Sequence, residues 1–164
     1  MILLKAMVRQ QGYVLWLCSW YPNQLEPLSG DFIQRHAAAV AGQLPVQVLS
    51  FVFDTQARIT QNVWVEKKSS HNLTETIVYV HLPATGPRLW QKWKEWTTMC
   101  RLMHEQAAIL EQSLGKPLLI HAHVAVYAGL LAHQLAKQWR LPFYISEHWT
   151  EYLPEATPNF RRAN

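Results

Sequence analysis

The stretch from Ile120 to Tyr152, IHAHVAVYAGLLAHQLAKQWRLPFYISEHWTEY, constrains the fold more than any other part of the chain. A short apolar run ends in His121-Ala122-His123. An alanine-rich segment with helical spacing follows, and a second apolar run, Phe143 to Ser146, ends in Glu147-His148. In an open parallel sheet, ligands bind outside the carboxyl ends of the strands. Titratable residues gathered at two such ends therefore mark a candidate site.

The remainder of the chain repeats the alternation. Tyr13 to Ser19 is a continuous apolar run, as expected for a strand buried on both faces. Pro22, Pro27 and Gly30 punctuate the loop after it. Ser29 or Asp31 then caps a helix over about Phe32 to Gln43, and Val46 to Phe53 reads as a second strand. Residues 54–82 are β-rich: Val63-Trp64-Val65 and Thr76 to Leu82, separated by Lys67-Lys68-Ser69-Ser70, predict a hairpin-like insertion or two short edge strands. A long helix is predicted from about Leu89 to Leu114, with Trp93, Thr97, Cys100, Ala107, Leu110 and Leu114 on one stripe. Gly115 and Pro117 stop it. Leu118 to His121 is a buried strand, and a helix over about Ala125 to Trp139 aligns Ala128, Ala132 and Ala136 for close packing. The pattern predicts an α/β fold: a three-layer, Rossmann-like, doubly wound and mostly parallel sheet with helices on both faces. The expected organisation is an N-terminal extension over 1–12, one domain over 13–155 and a polar tail over 156–164.

Composition narrows the function. Hydrophobic residues make up 49% and charged residues 16% of the 164 residues, a globular balance. The net charge of +4 is mild and scattered, with no basic run interleaved with aromatics, so nucleic acid is not an expected partner. Eight tryptophans are more than one small core needs. Trp90, Trp93 and Trp96 lie too close together for one helix to bury them all, which predicts a contact surface for a partner domain, a lipid or a sugar. Lys92, Lys94 and Arg101 beside them are a solvated basic face or a peripheral membrane contact. Cys18 and Cys100 read as two buried, reduced thiols, in keeping with a cytoplasmic location. Lys5 and Arg9 before the first apolar run imitate a secretory signal only loosely, because Trp20-Tyr21-Pro22 stands where a small-residue cleavage pattern belongs. No run approaches the length of a membrane span.

Several chemistries are open to the clustered residues. His121 and His123 share a face if their strand persists, and one of them can line the crevice as a hydrogen-bond donor or general acid/base. Gly30, preceded by Ser29, lets backbone approach a ligand at a helix N-terminus that favours anions, although a plain turn glycine is an equal reading. Zinc held by His121, His123, His148 and Glu147 suits the ligand types, but the spacing matches no metal signature. Ser146 lacks the glycines of a nucleophile elbow.

Ser19-Trp20-Tyr21-Pro22, Ser29-Gly30-Asp31-Phe32, His36-Ala37, Ile120-His121-Ala122-His123 and Ser146-Glu147-His148-Trp149-Thr150 occur in this order. Over about residues 13–155 the chain thereby resembles the N-terminal domain of bacterial family 4 (group 1) glycosyltransferases of GT-B architecture. The resemblance implies retaining transfer of a sugar from a nucleotide-sugar donor to a glycan or lipid-linked acceptor, without a metal or a cofactor. His123 would be the catalytic residue projecting into the cleft. Ser29, Gly30, Asp31, His121, Glu147 and His148 would be on the acceptor side. The family binds the nucleotide-sugar mainly in a C-terminal domain that these residues do not supply, so the chain is expected to be a half-site, inactive alone and open to self-association through its cleft face. The implied location is cytoplasmic, with peripheral contact at the inner face of the membrane. Competing expectations are a non-catalytic Rossmann-like interaction module and a small metallo-hydrolase built on the histidines and Glu147.

Overall fold

A computed structural model describes residues 12–83 and 86–148. In chain order the elements are β1 (Val14–Cys18), α1 (Asp31–Ala41), β2 (Val46–Asp54), β3 (Val63–Ser70), β4 (Leu73–His81), α2 (Arg88–Leu114), β5 (Leu119–His123), α3 (Leu130–Trp139) and β6 (Phe143–Ser146). The six strands form one sheet in the order β3-β4-β2-β1-β5-β6. All neighbours pair in parallel except the antiparallel β3–β4 pair. The fold is thus the expected three-layer, Rossmann-like α/β arrangement. From β1 the chain builds outward to β2 on one side and to β5 and β6 on the other, so the crevice of such a sheet opens between β1 and β5.

Strand alternation divides the core into two layers. On one face Val14 and Trp16 of β1 and Val46 and Val48 of β2 meet Ile33, Ala37 and Ala41 of α1. On the other, Leu15 and Leu17 of β1 and Ile120 and Ala122 of β5 meet α2 and α3. Ala128, Ala132 and Ala136 are all buried as the small-residue line predicts. They let α3 approach the sheet closely. Leu135 beside them is fully buried, and its truncation to Ala would cost about 2–5 kcal/mol.

Four expectations need correction. The β-rich insertion is a hairpin, but β4 is an interior strand, parallel to β2, and Lys67-Lys68-Ser69-Ser70 belongs to β3 instead of separating two strands. Its mostly exposed residues suit an edge strand, where charge on the open side discourages further pairing. The buried stripe of α2 runs through Gln91, Glu95, Met99, Leu102, Met103, Ala107 and Leu110, and Trp93, Thr97 and Leu114 face outward. Cys18 is buried as expected, whereas Cys100 is half-exposed; both are free thiols. The helix predicted from Ala125 begins at Leu130, because residues 125–129 form an irregular turn. Met1–Gln11 and the tail from Trp149 onward lie outside the described residues. Among the described residues no helix is long and apolar enough to cross a membrane.

Candidate functional site

The motif segments meet at the carboxyl edge of the sheet. Ser19, just past β1, donates its backbone N–H to the His123 carbonyl at 3.2 Å. Val124, just past β5, donates to the Ser146 carbonyl at 2.9 Å. The turn that follows is strained: Val124 has φ 76° and Tyr127 φ 62°, a region a β-branched or bulky side chain rarely enters. Three contacts hold it. The Ser19 hydroxyl donates to the Val126 carbonyl and accepts the Ala128 N–H at 3.1 Å. A Glu147 carboxylate oxygen accepts the Ala125 N–H at 2.9 Å.

The turn closes one side of a cavity of about 380 Å³ between the ends of β1 and β2 and helix α2. Its walls are largely apolar, including Leu17, Phe51, Phe53, Met99 and Leu131. Two charged residues line it, Lys92 and Glu95. The Lys92 ammonium donates to Glu95 at 2.9 Å and to the Tyr127 hydroxyl at 3.3 Å. The hydrogen bond it donates to Glu95 heads the causes that hold the ammonium above its ordinary pKa. Glu95 is buried, and a buried carboxylate needs such a partner. The strained Tyr127 therefore completes a charged corner in an otherwise oily cavity, a form typical of ligand sites.

The histidines occupy the opposite face. Helix α1 leaves the β5–β6 end of its layer uncovered, and a groove of about 490 Å³ runs there over Trp16, His36, His121, His123, Tyr144 and His148. His123 and His148 face each other with Nδ1 and Nε2 3.1 Å apart. Their ring centres are 5.4 Å apart and their planes differ by 6°, so the two rings are joined edge to edge through one shared proton. His121 Nε2 lies 2.8 Å from the Ser146 hydroxyl. His123 was expected to project into the cleft; it is 2% exposed, packed against Trp16, and its Nε2 has no hydrogen-bond partner among the described residues. Burial, with the neighbouring His121, His148 and His36 acting in the same direction, lowers its pKa to about 3. Burial and His148 lower His121 as well. Both rings are therefore neutral at pH 7, and His148 is the more accessible partner of the pair.

The remaining expected residues divide between roles. Gly30 caps α1 with φ 62°, and a Cβ there would stand 2.7 Å from the Trp20 carbonyl oxygen. Close packing against its own chain requires glycine here, without reference to a ligand. Asp31 pairs with Arg35 at 3.1 Å in the first turn of α1, where an acid complements the helix dipole. Ser29 donates its N–H to the Glu26 carbonyl within the loop. His121, His123 and His148 come together, and Glu147 adjoins them, but no group of three or more His, Cys, Asp or Glu among the described residues can hold a metal ion. Glu95 and Tyr127 escaped the sequence analysis, in which Lys92 stands only on a basic face or membrane contact beside the tryptophans. Their signal is the pair of charged residues at i and i+3, with Glu95 in phase with Met99, Leu102 and Met103.

A second buried acid closes the edge beyond β2. Asp54 is fully buried and accepts the N–H groups of Gln56 and Ile59 at 3.1 and 2.7 Å. Burial acts to raise its carboxyl pKa, but these two amides and Arg58 outweigh that effect and hold it below the ordinary value. Asp54 thus folds the loop after β2 and is not a free acid.

No protein-family model matches the chain, and none of the curated proteins matches it. Among solved structures it is similar to the crystal structure of the C-terminal domain of a hydrogenase from Pyrococcus furiosus, with a TM-score of 0.51 and 12% identity over 82% of this chain and 91% of that one. At this identity the likeness establishes a shared α/β fold.

Proposed function

We propose that the chain is the acceptor-binding half of a retaining glycosyltransferase that receives a sugar from a nucleotide-sugar donor held by a second domain. One observation carries the proposal most directly. The loop after β1, the turn after β5 and Glu147, far apart in sequence, are bonded into one edge around a cavity with a charged corner. Sugar hydroxyls both donate and accept, so a carboxylate beside an ammonium suits them, and the apolar walls suit a ring face or a lipid linker. Glu95 would accept from a hydroxyl, Lys92 would donate to its neighbour, and Tyr127 would close the mouth. His148 lies in the groove on the other face of the sheet and would be the more accessible imidazole of its pair there. His123 would hold His148 in one tautomer and so act as a positioning residue.

Titrating the ¹⁵N-labelled chain with a panel of free and isoprenoid-phosphate-linked saccharides tests this. Saturable shifts at Ser19, Val124–Ala128 and Glu95 are expected, with weaker effects from nucleotide-sugars. Absence of saccharide shifts at this edge overturns the proposal. The burial of His123 favours a second reading, a binding module without catalysis. It is separated by joining the chain to a donor-binding domain and assaying turnover: turnover that falls in a His148→Ala variant supports the transferase, and no turnover in the parent supports the module.

A further inference from the structure

The first two turns of α2 carry a surface that neither the core nor the cavity explains. Leu89, Trp90 and Trp93 are 85%, 49% and 54% exposed, adjacent large apolar groups on a helix whose buried stripe points elsewhere. Trp90 and Trp93 stack with centroids 4.8 Å apart, and the Lys94 ammonium lies 5.6 Å from the Trp90 ring centre. Arg88 and Lys94 bring positive charge to the same turns. The one acid in residues 88–95 is Glu95, which is buried and bonded to Lys92. The next, Glu105, stands about 15 Å farther along the helix and pairs with Arg101.

We propose that this surface docks the protein on the headgroup region of an anionic lipid bilayer, with Leu89, Trp90 and Trp93 as the inserted groups and Arg88 and Lys94 facing lipid phosphates. Tryptophan favours that depth because its ring is apolar and its N–H still reaches a polar partner. Lysine and arginine add attraction to anionic lipid while their stems stay among apolar groups. A stable dimer buries roughly 20–30 residues on each side, far more than this patch offers. A sugar platform needs open ring faces, whereas Trp93 and Lys94 both sit against Trp90. The inference stands apart from the transferase proposal, although it sets the cavity corner at Lys92 next to the membrane surface.

Flotation of the chain with phosphatidylcholine vesicles, and with vesicles that also contain phosphatidylglycerol, tests it. Binding to the anionic vesicles with a blue shift of tryptophan emission is expected. The Trp90→Ser/Trp93→Ser double variant is expected to weaken partitioning about tenfold or more. The Arg88→Glu/Lys94→Glu variant should remove the preference for anionic lipid. Ile109→Ser, at an exposed apolar position elsewhere on α2, should bind as the parent does. No flotation with either vesicle, or undiminished flotation of the double tryptophan variant, overturns the proposal. So does self-association in ultracentrifugation that the double variant abolishes while vesicles are ignored, which would assign the surface to a second copy.

Discussion

The histidine groove makes the stability of this fold depend on pH. His123 has an ordinary pKa of 6.5 when unfolded and about 3 when buried beside His121, His148 and His36. Below pH 6.5 the unfolded chain takes up a proton that the folded chain refuses. Stability is therefore complete above 6.5 and falls with pH by about 1.4 kcal/mol per unit until the folded value is reached. Between pH 7 and pH 5 this one ring should cost about 2 kcal/mol. His121, lowered in the same direction, adds loss of the same sign. Asp54 and Glu66, both held below their ordinary values of 3.8 and 4.5, lose their contribution only at lower pH. Urea unfolding followed by circular dichroism from pH 8 to pH 5, at fixed ionic strength, measures the slope. His123→Gln should be less stable than the parent at pH 8 yet lose about one proton's worth of the slope. Stability that is flat over this range, or an unchanged slope in the variant, would refute the assignment of His123 as a neutral, buried imidazole.

Other substitutions probe the carboxyl edge. Gly30→Ala forces a left-handed φ on a residue with a Cβ, about 1–2 kcal/mol, and adds the 2.7 Å approach to the Trp20 carbonyl; a loss of at least about 2 kcal/mol is expected in thermal unfolding. Ser19→Ala removes two hydrogen bonds from the strained turn and should cost about 1–3 kcal/mol, with faster amide exchange at Ala128. Val124→Gly should be more stable than Val124→Ala by about 0.5–1 kcal/mol, because both lose the buried methyls while only glycine relieves the positive φ. Chemical denaturation of the pair gives the order directly, and the opposite order would argue against strain at this residue.

The fold was legible because its strands are short apolar runs that end at turn residues, and because Ala128, Ala132 and Ala136 mark a helix lying close on a sheet. The edge of the sheet was less so. β4 carries Thr74, Glu75 and Thr76, which look like an exposed strand, yet Glu75 is satisfied by the Tyr21 hydroxyl and the Gln34 amide at 2.7 Å each. Partners more than forty residues away make a polar strand fit an interior position. Helix α2 misled for the reverse reason. Trp93 is the natural anchor of an apolar stripe, but the true stripe includes Gln91 and Glu95, because one end of the helix borders a cavity instead of a packed core. The histidines were placed on one face correctly by strand alternation. No local pattern reveals that Trp16 of β1 packs against both rings or that His123 is the sealed one.

The turn after β5 explains how one edge can serve two faces. Alternation sends His121 and His123 into the groove on the α1 side. A strand continued without change would carry Val124–Tyr127 away from the sheet end. The positive φ at Val124 bends the chain back across the edge, and that at Tyr127 brings its hydroxyl to Lys92 on the α2 side. Glu147 and the Ser146 carbonyl bond to the start of this turn, and the residue after Glu147 is the partner of His123. A displacement of the β6 end by anything bound at His148 must therefore move the Ala125 amide, and with it the turn that presents Tyr127 to the cavity. Strain at Val124 and Tyr127 is the physical condition for that connection, since a relaxed turn would leave the imidazole groove and the charged corner independent.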